Sequence, residues 1–141
     1  KEVSNFIYLV GEFSAGQKSV PDVSSSTPQV YHALHQAIRS GLVKSAHDPS
    51  EGGLAVAAAE MCIGGRLGME LDIEASTVFT EVNGCLLVEV SPANAPAFEN
   101  KFANLPCHKI GEVTADPILK ISNVEIAVNE IVQAFNNPTH L

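Results

Sequence analysis

Ser45-Ala46-His47-Asp48-Pro49-Ser50-Glu51-Gly52-Gly53-Leu54 is the stretch on which the reading of this chain turns. Upstream of it, Leu42 to Ala46 has the length and apolar character of a short strand. Downstream, Leu54, Ala57, Ala58 and Met61 recur at helical spacing in a segment from Gly52 to about Ile63, closed by Gly64-Gly65. The stretch is therefore a strand-to-helix junction that gathers an imidazole, two carboxylates, a hydroxyl and a glycine pair. Polar groups buried without partners are costly in a core, whereas a loop that presents ligand groups carries them freely. Glycine lets backbone N–H groups approach an anion, and a helix N-terminus favours negative charge. The same residues also describe a capped helix start, with Ser50 and Glu51 complementing the helix dipole, and pattern alone leaves both readings open.

Working outward, Phe6-Ile7-Tyr8-Leu9-Val10 before Gly11 reads as a buried strand. Ser14 to Thr27, rich in Ser, Gly and Pro, reads as a long loop. Thr27-Pro28 has the form of N-cap and first position of a helix to about Ser40, with Val30, Leu34, Ala37 and Ile38 on one face. Gly68 to Ile73 alternates as a half-buried strand, and Cys85 to Val90 is a continuous apolar one. Ala93 to Phe102 is expected as a helix, Lys109 to Val113 and Ile118 to Ile121 as strands. A last helix is expected over Asn123 to Asn136, with Val124, Ala127, Val128, Ile131 and Phe135 inward. The order β, α, β, α, β, β, α, β, β, α implies one α+β domain over residues 1–141, a mixed and largely antiparallel sheet with helices packed on it. Both ends have the look of cuts through a longer protein.

The chain has 141 residues, 45% of them hydrophobic, which suffices for a packed core. A net charge of −8 excludes the basic surface that nucleic acid rewards, but local backbone donors can still hold a small anion. No run approaches the roughly 18 apolar residues of a membrane span, and no signal-peptide pattern opens the chain. Cys62, Cys85 and Cys107 are isolated in apolar stretches and read as reduced, packed residues of a cytoplasmic protein.

Within the junction, Asp48 is a short carboxylate suited to a hard cation such as magnesium. His47 can donate to a phosphate or orient Asp48. Ser50, Gly52 and Gly53 can face a phosphate. Glu81, in Val78-Phe79-Thr80-Glu81-Val82-Asn83-Gly84, can reach a metal or a ligand across the site, or else lie solvated before an Asn-Gly turn. Gly16, Lys18 and Ser19 can touch an anion but do not form a Walker loop. His32 and His35 have metal-binding spacing with no third ligand nearby, which reads as exposed helical histidines.

Ala46-His47-Asp48-Pro49-Ser50-Glu51-Gly52-Gly53-Leu54-Ala55, followed by Ala59-Glu60-Met61, closely resembles the synthetase component of phosphoribosylformylglycinamidine synthases. Gly64, Gly65, Gly68, the Met69-to-Ile73 strand, Ile7-Tyr8-Leu9-Val10-Gly11, Phe79-Thr80-Glu81 and Ile110-Gly111-Glu112-Val113-Thr114 continue the likeness in order over nearly the whole chain. Glu51 stands where that family usually has Asp, Thr80 where Ser or Asn is usual, and Glu12 to Asp22 lacks its Gly-Gly-Ser run.

The resemblance is to the C-terminal domain of the superfamily shared with aminoimidazole ribonucleotide synthetase, selenophosphate synthetase, thiamine monophosphate kinase and a hydrogenase maturation factor. It implies an ATP-dependent ligase of purine biosynthesis. The formyl amide oxygen of the substrate is activated by ATP, and ammonia from a glutaminase component then gives the amidine. ATP and magnesium would be held mainly by an N-terminal domain missing from this chain. Ser50, Gly52, Gly53 and His47 would hold the substrate phosphate with Glu81 facing the site, and Asp48 would ligate magnesium. Alone, the domain is expected to be inactive and to self-associate, as a homodimer, through an apolar face. A sister enzyme of the superfamily and a non-catalytic binding or assembly domain are the other readings.

Overall fold

The computed structural model describes residues 2–13 and 23–137. The region Ser14 to Asp22, with Gly16, Lys18 and Ser19, lies outside the described residues. Seven strands form one sheet: β1 Phe6–Val10, β2 Val43–His47, β3 Gly68–Leu71, β4 Leu86–Val90, β5 Cys107–Thr114, β6 Ile118–Ile121 and β7 Val124–Ala127. Their order across the sheet is β2-β4-β1-β5-β3-β6-β7. Every neighbouring pair is antiparallel except β3 with β6. Among the described residues the helices are α1 Thr27–Arg39, α2 Gly53–Gly65, α3 Ala95–Lys101 and α4 Val128–Asn136, with a 3-10 turn at Ala75–Thr77. This is the expected mixed, largely antiparallel sheet with helices packed on it.

Strand alternation divides the core into two layers. On one face Ile7, Leu9 and Leu87 meet Leu54, Ala58, Met61 and Cys62 of α2 and Val128 of α4. On the other, Tyr8, Val10, Val88 and Val90 meet Val30, Ala33, Leu34 and Ala37 of α1 and Phe98 of α3. Tyr8 donates to the Glu99 carboxylate at 2.6 Å, and burial together with that carboxylate pushes its pKa up. Cys62 and Cys85 are buried, Cys107 is half-buried, and none is in a disulfide. Burial, with the Glu12 charge nearby, pushes the Cys85 thiol up to about 11, and burial with Glu99 pushes Cys107 up to about 12. These are packed, unreactive thiols.

The C-terminal segment departs from the expected single helix over Asn123 to Asn136. Val124–Ala127 is a strand that pairs with β6, Ile121 opposite Val124, and the helix begins only at Val128. A two-residue Ser122-Asn123 turn, with Ser122 at φ 55°, reverses the chain. Val124 and Phe135 are exposed rather than inward. The spacing that fits one helix also contains the Val124/Ile126 alternation, and hydrogen bonding to β6 selects the strand. Smaller shifts follow the same logic. Ile38 is half-exposed, α3 is shorter than Ala93 to Phe102, β3 stops at Leu71, and Cys85 precedes β4. Thr27 lies inside α1, and Ser26 is the N-cap.

Candidate functional site

The junction is built by β2, which ends at His47, and α2, which starts at Gly53. Gly52 and Gly53 both adopt the left-handed region, with φ 80° and 65°, so the chain turns sharply onto the helix where side chains are disfavoured. Gly52, at the N-cap, has no side chain of its own to cap the helix. Instead the Ser50 carbonyl accepts from Gly53 N–H at 3.0 Å. The segment after the 3-10 turn closes over the helix mouth. The Val78 carbonyl accepts from Ala55 N–H at 2.8 Å, and Val82 N–H donates to the Pro49 carbonyl at 3.4 Å. Glu81 Oε1 accepts from Gly52 N–H at 3.2 Å. A carboxylate from another segment thus sits on a donor of the helix mouth, where the positive end of the dipole favours an anion.

His47 is held at both ring nitrogens. Nδ1–H donates to the Asp48 carbonyl at 2.9 Å, and Nε2 lies 2.7 Å from Glu60 Oε2 on α2. Both nitrogens are thus engaged. The ring therefore orients the Asp48 backbone rather than its carboxylate, and neither nitrogen is left over for an anion at the mouth. Asp48, Ser50, Glu51 and Glu81 are exposed, Gly52 is half-buried and Gly53 buried. The structure brings His47, Asp48, Ser50, Gly52, Gly53 and Glu81 into one corner. Among the described residues no group of three or more His, Cys, Asp or Glu side chains is placed to hold a metal. His32 bonds Gln36 at 2.8 Å, and both His32 and His35 are exposed on α1.

Glu60 was legible as part of Ala59-Glu60-Met61, but not as the partner of His47. Replacing it with Ala is expected to cost only about 0.5–1 kcal/mol, because the pair is partly exposed. It should free the imidazole to rotate. A slowly exchanging Nε2–H signal in the ring 1H–15N spectrum is expected in the parent and absent in Glu60→Ala. Survival of that signal would show that Glu60 does not hold the ring.

A second polar feature went unread. Glu89 on β4 is fully buried, and its carboxylate accepts from Asn5 Nδ2 at 2.8 Å, Ser45 Oγ at 2.7 Å and Glu2 N–H at 3.1 Å. Burial alone would raise its pKa, but these three donors outweigh it and hold the group below its ordinary value. Glu89 thereby ties β2, which delivers His47, to β4 and the N-terminal segment. The signal was a lone carboxylate in Leu86-Leu87-Val88-Glu89-Val90. Among the described residues no helix is long and apolar enough to cross a membrane.

The chain is 38% identical over 126 residues to the phosphoribosylformylglycinamidine synthase subunit PurL of Lactobacillus acidophilus, covering 88% of this chain and 17% of that protein. It is 33% identical over 141 residues to the same subunit of Lacticaseibacillus casei, covering 88% of this chain and 19% of that one. The chain therefore spans about a fifth of the curated relatives it matches. Its fold is that of T. maritima PurL complexed with ATP, with a TM-score of 0.79 at 19% identity over 92% of this chain and 26% of that one. E. coli HypE, a hydrogenase maturation protein, shares the fold with a TM-score of 0.65 at 16% identity, over 90% of this chain and 49% of that one. Residues 4–122 match the family model described as AIR synthase related protein, C-terminal domain, and the chain belongs to that family.

Proposed function

We propose that this chain is a C-terminal domain, spanning residues 1–141, of a cytoplasmic phosphoribosylformylglycinamidine synthase, and that its β2–α2 junction forms part of the site for the substrate phosphate. The observation that carries this reading is that the left-handed Gly52-Gly53 bend at the mouth of α2 already holds an anionic group, the Glu81 carboxylate, on Gly52 N–H at 3.2 Å. The relatives at 38% and 33% identity are synthase subunits, and each covers 88% of this chain.

In this reading, an incoming phosphate takes the place of the Glu81 carboxylate on Gly52 N–H. Ser50 lies beside it with its hydroxyl exposed. His47 acts by holding the loop in register through the Asp48 carbonyl. The exposed Asp48 carboxylate is the group available to magnesium, whose remaining ligands come from outside this chain. ATP, when bound, supplies the phosphoryl group that activates the amide oxygen, and an N-terminal domain holds it. Ammonia comes from a glutaminase component. The domain alone positions one end of the substrate and completes no chemistry, because phosphoryl transfer depends on positioning nucleotide and metal together.

The test is a titration of the 15N-labelled chain with inorganic phosphate and with ribose 5-phosphate. Saturable shifts centred on the Gly52 and Gly53 amides are expected, with a Kd in roughly the millimolar range. Glu81→Gln should tighten binding severalfold by removing the charge that competes for the Gly52 N–H. Shifts scattered over the surface, or weaker binding in Glu81→Gln, would reject this site.

A further inference from the structure

An apolar groove lies beside the junction and shares Ala55, Val78 and Phe79 with the segment that closes over it. The groove, of about 290 Å³, runs between α2, the 3-10 turn, β6–β7 and α4, and every residue lining it is apolar. Val56 of α2, Val78 and Phe79, and Ile131 of α4 line it, with Ile121 and Ile126 on one face of β6–β7 as its floor. Phe79 is 71% exposed, Ile126 40% and Val56 37%. Contiguous exposed apolar surface of this kind marks an interaction site more often than it marks chance.

Charge decides what fits. Of the six Glu in the three segments that build the groove, residues 51–60, 74–81 and 119–131, Glu60 is paired with His47, Glu81 sits on Gly52 N–H and Glu125 lines a different hollow, which leaves Glu51, Glu74 and Glu130. The single base of these segments, Lys120, is tied to Glu70 at 3.0 Å and lines that other hollow too. Glu74 directly precedes the lining Ala75, Glu130 directly precedes Ile131, and both are exposed. An apolar trough flanked by the exposed Glu74 and Glu130, with no base beside them in these segments, repels anionic lipid. It also repels a second copy of this chain, which would bring acid against acid on a molecule of net charge −8. The self-association expected from the sequence is therefore disfavoured at this face.

The floor is the face of β6–β7 and not its edge. An extended segment laid there would meet side chains only and leave its own N–H and C=O groups unpaired. A helix satisfies its backbone internally and offers side chains at i, i+4 and i+7.

We propose that this groove docks a helix of another polypeptide that presents a stripe of large apolar side chains flanked by Lys or Arg. The occupant touches Phe79, two residues from Glu81, so docking bears on the segment that closes the mouth of α2.

The test uses a fluorescent helical peptide with Leu at i, i+4 and i+7 and Lys at both flanks, against the same peptide with Glu flanks. The Lys-flanked peptide should bind at least about tenfold more tightly, with the difference shrinking at high salt. Ile126→Asp and Val56→Asp, each confirmed folded by its amide spectrum, should each lower affinity about tenfold or more. Equal affinity for the two peptides, no binding by either, or indifference to both substitutions would overturn the proposal. So would a dimer in sedimentation that Ile126→Asp dissociates, or binding that appears only after residues 138–141 are removed.

Discussion

Glu89→Ala is expected to destabilise the chain by about 3 kcal/mol, measured by urea unfolding at neutral pH. The carboxylate is fully buried on β4, and Asn5, itself buried, donates to it. Removing it leaves the Asn5 amide and the Ser45 hydroxyl without their acceptor, and an orphaned buried donor costs more than the bond itself contributes. Glu89→Gln should recover only part of the loss. Its amide oxygen can keep the Asn5 and Glu2 bonds and its NH2 group can donate to the Ser45 hydroxyl, but the charge that strengthens these bonds is lost.

The pH dependence separates charge from packing. Because the folded pKa of Glu89 lies below its ordinary value, its contribution is fully present above the unfolded pKa of about 4.3 and is lost as pH falls through the folded pKa. The parent should therefore lose stability more steeply below about pH 4 than Glu89→Gln does. Equal slopes in the acid range would show that Glu89 is not held as a carboxylate.

Why Glu89 escaped the sequence reading is a matter of distance along the chain. Its side-chain donors lie 84 and 44 residues away, and no local pattern announces them. Strands and helices whose cues are local were read with small errors at their ends, because glycine, proline and alternation act over a few residues. β7 was misread because Val124, Ala127, Val128 and Ile131 fit a helical face as well as a strand followed by a helix, and only pairing with β6 decides. The bend at the junction was legible for the opposite reason. A glycine pair before an apolar helix states a backbone need directly. What the sequence could not reveal there was the lid: Glu81 on Gly52 N–H and Val78 on Ala55 N–H come from a segment more than twenty residues on, and their register depends on how the 3-10 turn packs.

That lid makes Gly53 the most demanding glycine of the site. Gly53→Ala is expected to cost about 3 kcal/mol, from two sources. At φ 65° a residue with a Cβ is strained by about 1–3 kcal/mol. The added Cβ would also lie 2.7 Å from the Phe79 carbonyl carbon, 2.7 Å from the Thr80 oxygen and 2.9 Å from the Thr80 nitrogen. All three are backbone atoms, so no side chain can swing aside, and overpacking of this kind costs about 1–3 kcal/mol. The relief open to the chain is for residues 79–80 to retreat from α2. That movement would draw Glu81 off Gly52 N–H and strain the Val78–Ala55 and Val82–Pro49 bonds together. The Gly52 and Ala55 amides should accordingly exchange faster with solvent in the variant. Gly64→Ala, near the other end of the same helix, is the control of opposite sign. Nothing lies within 4 Å of its added Cβ, and the helix should gain about 0.4–1 kcal/mol. If Gly53→Ala proved as stable as Gly64→Ala, the close packing of residues 79–80 on the mouth of α2 would be refuted, and with it the coupling of Glu81 to the glycine pair.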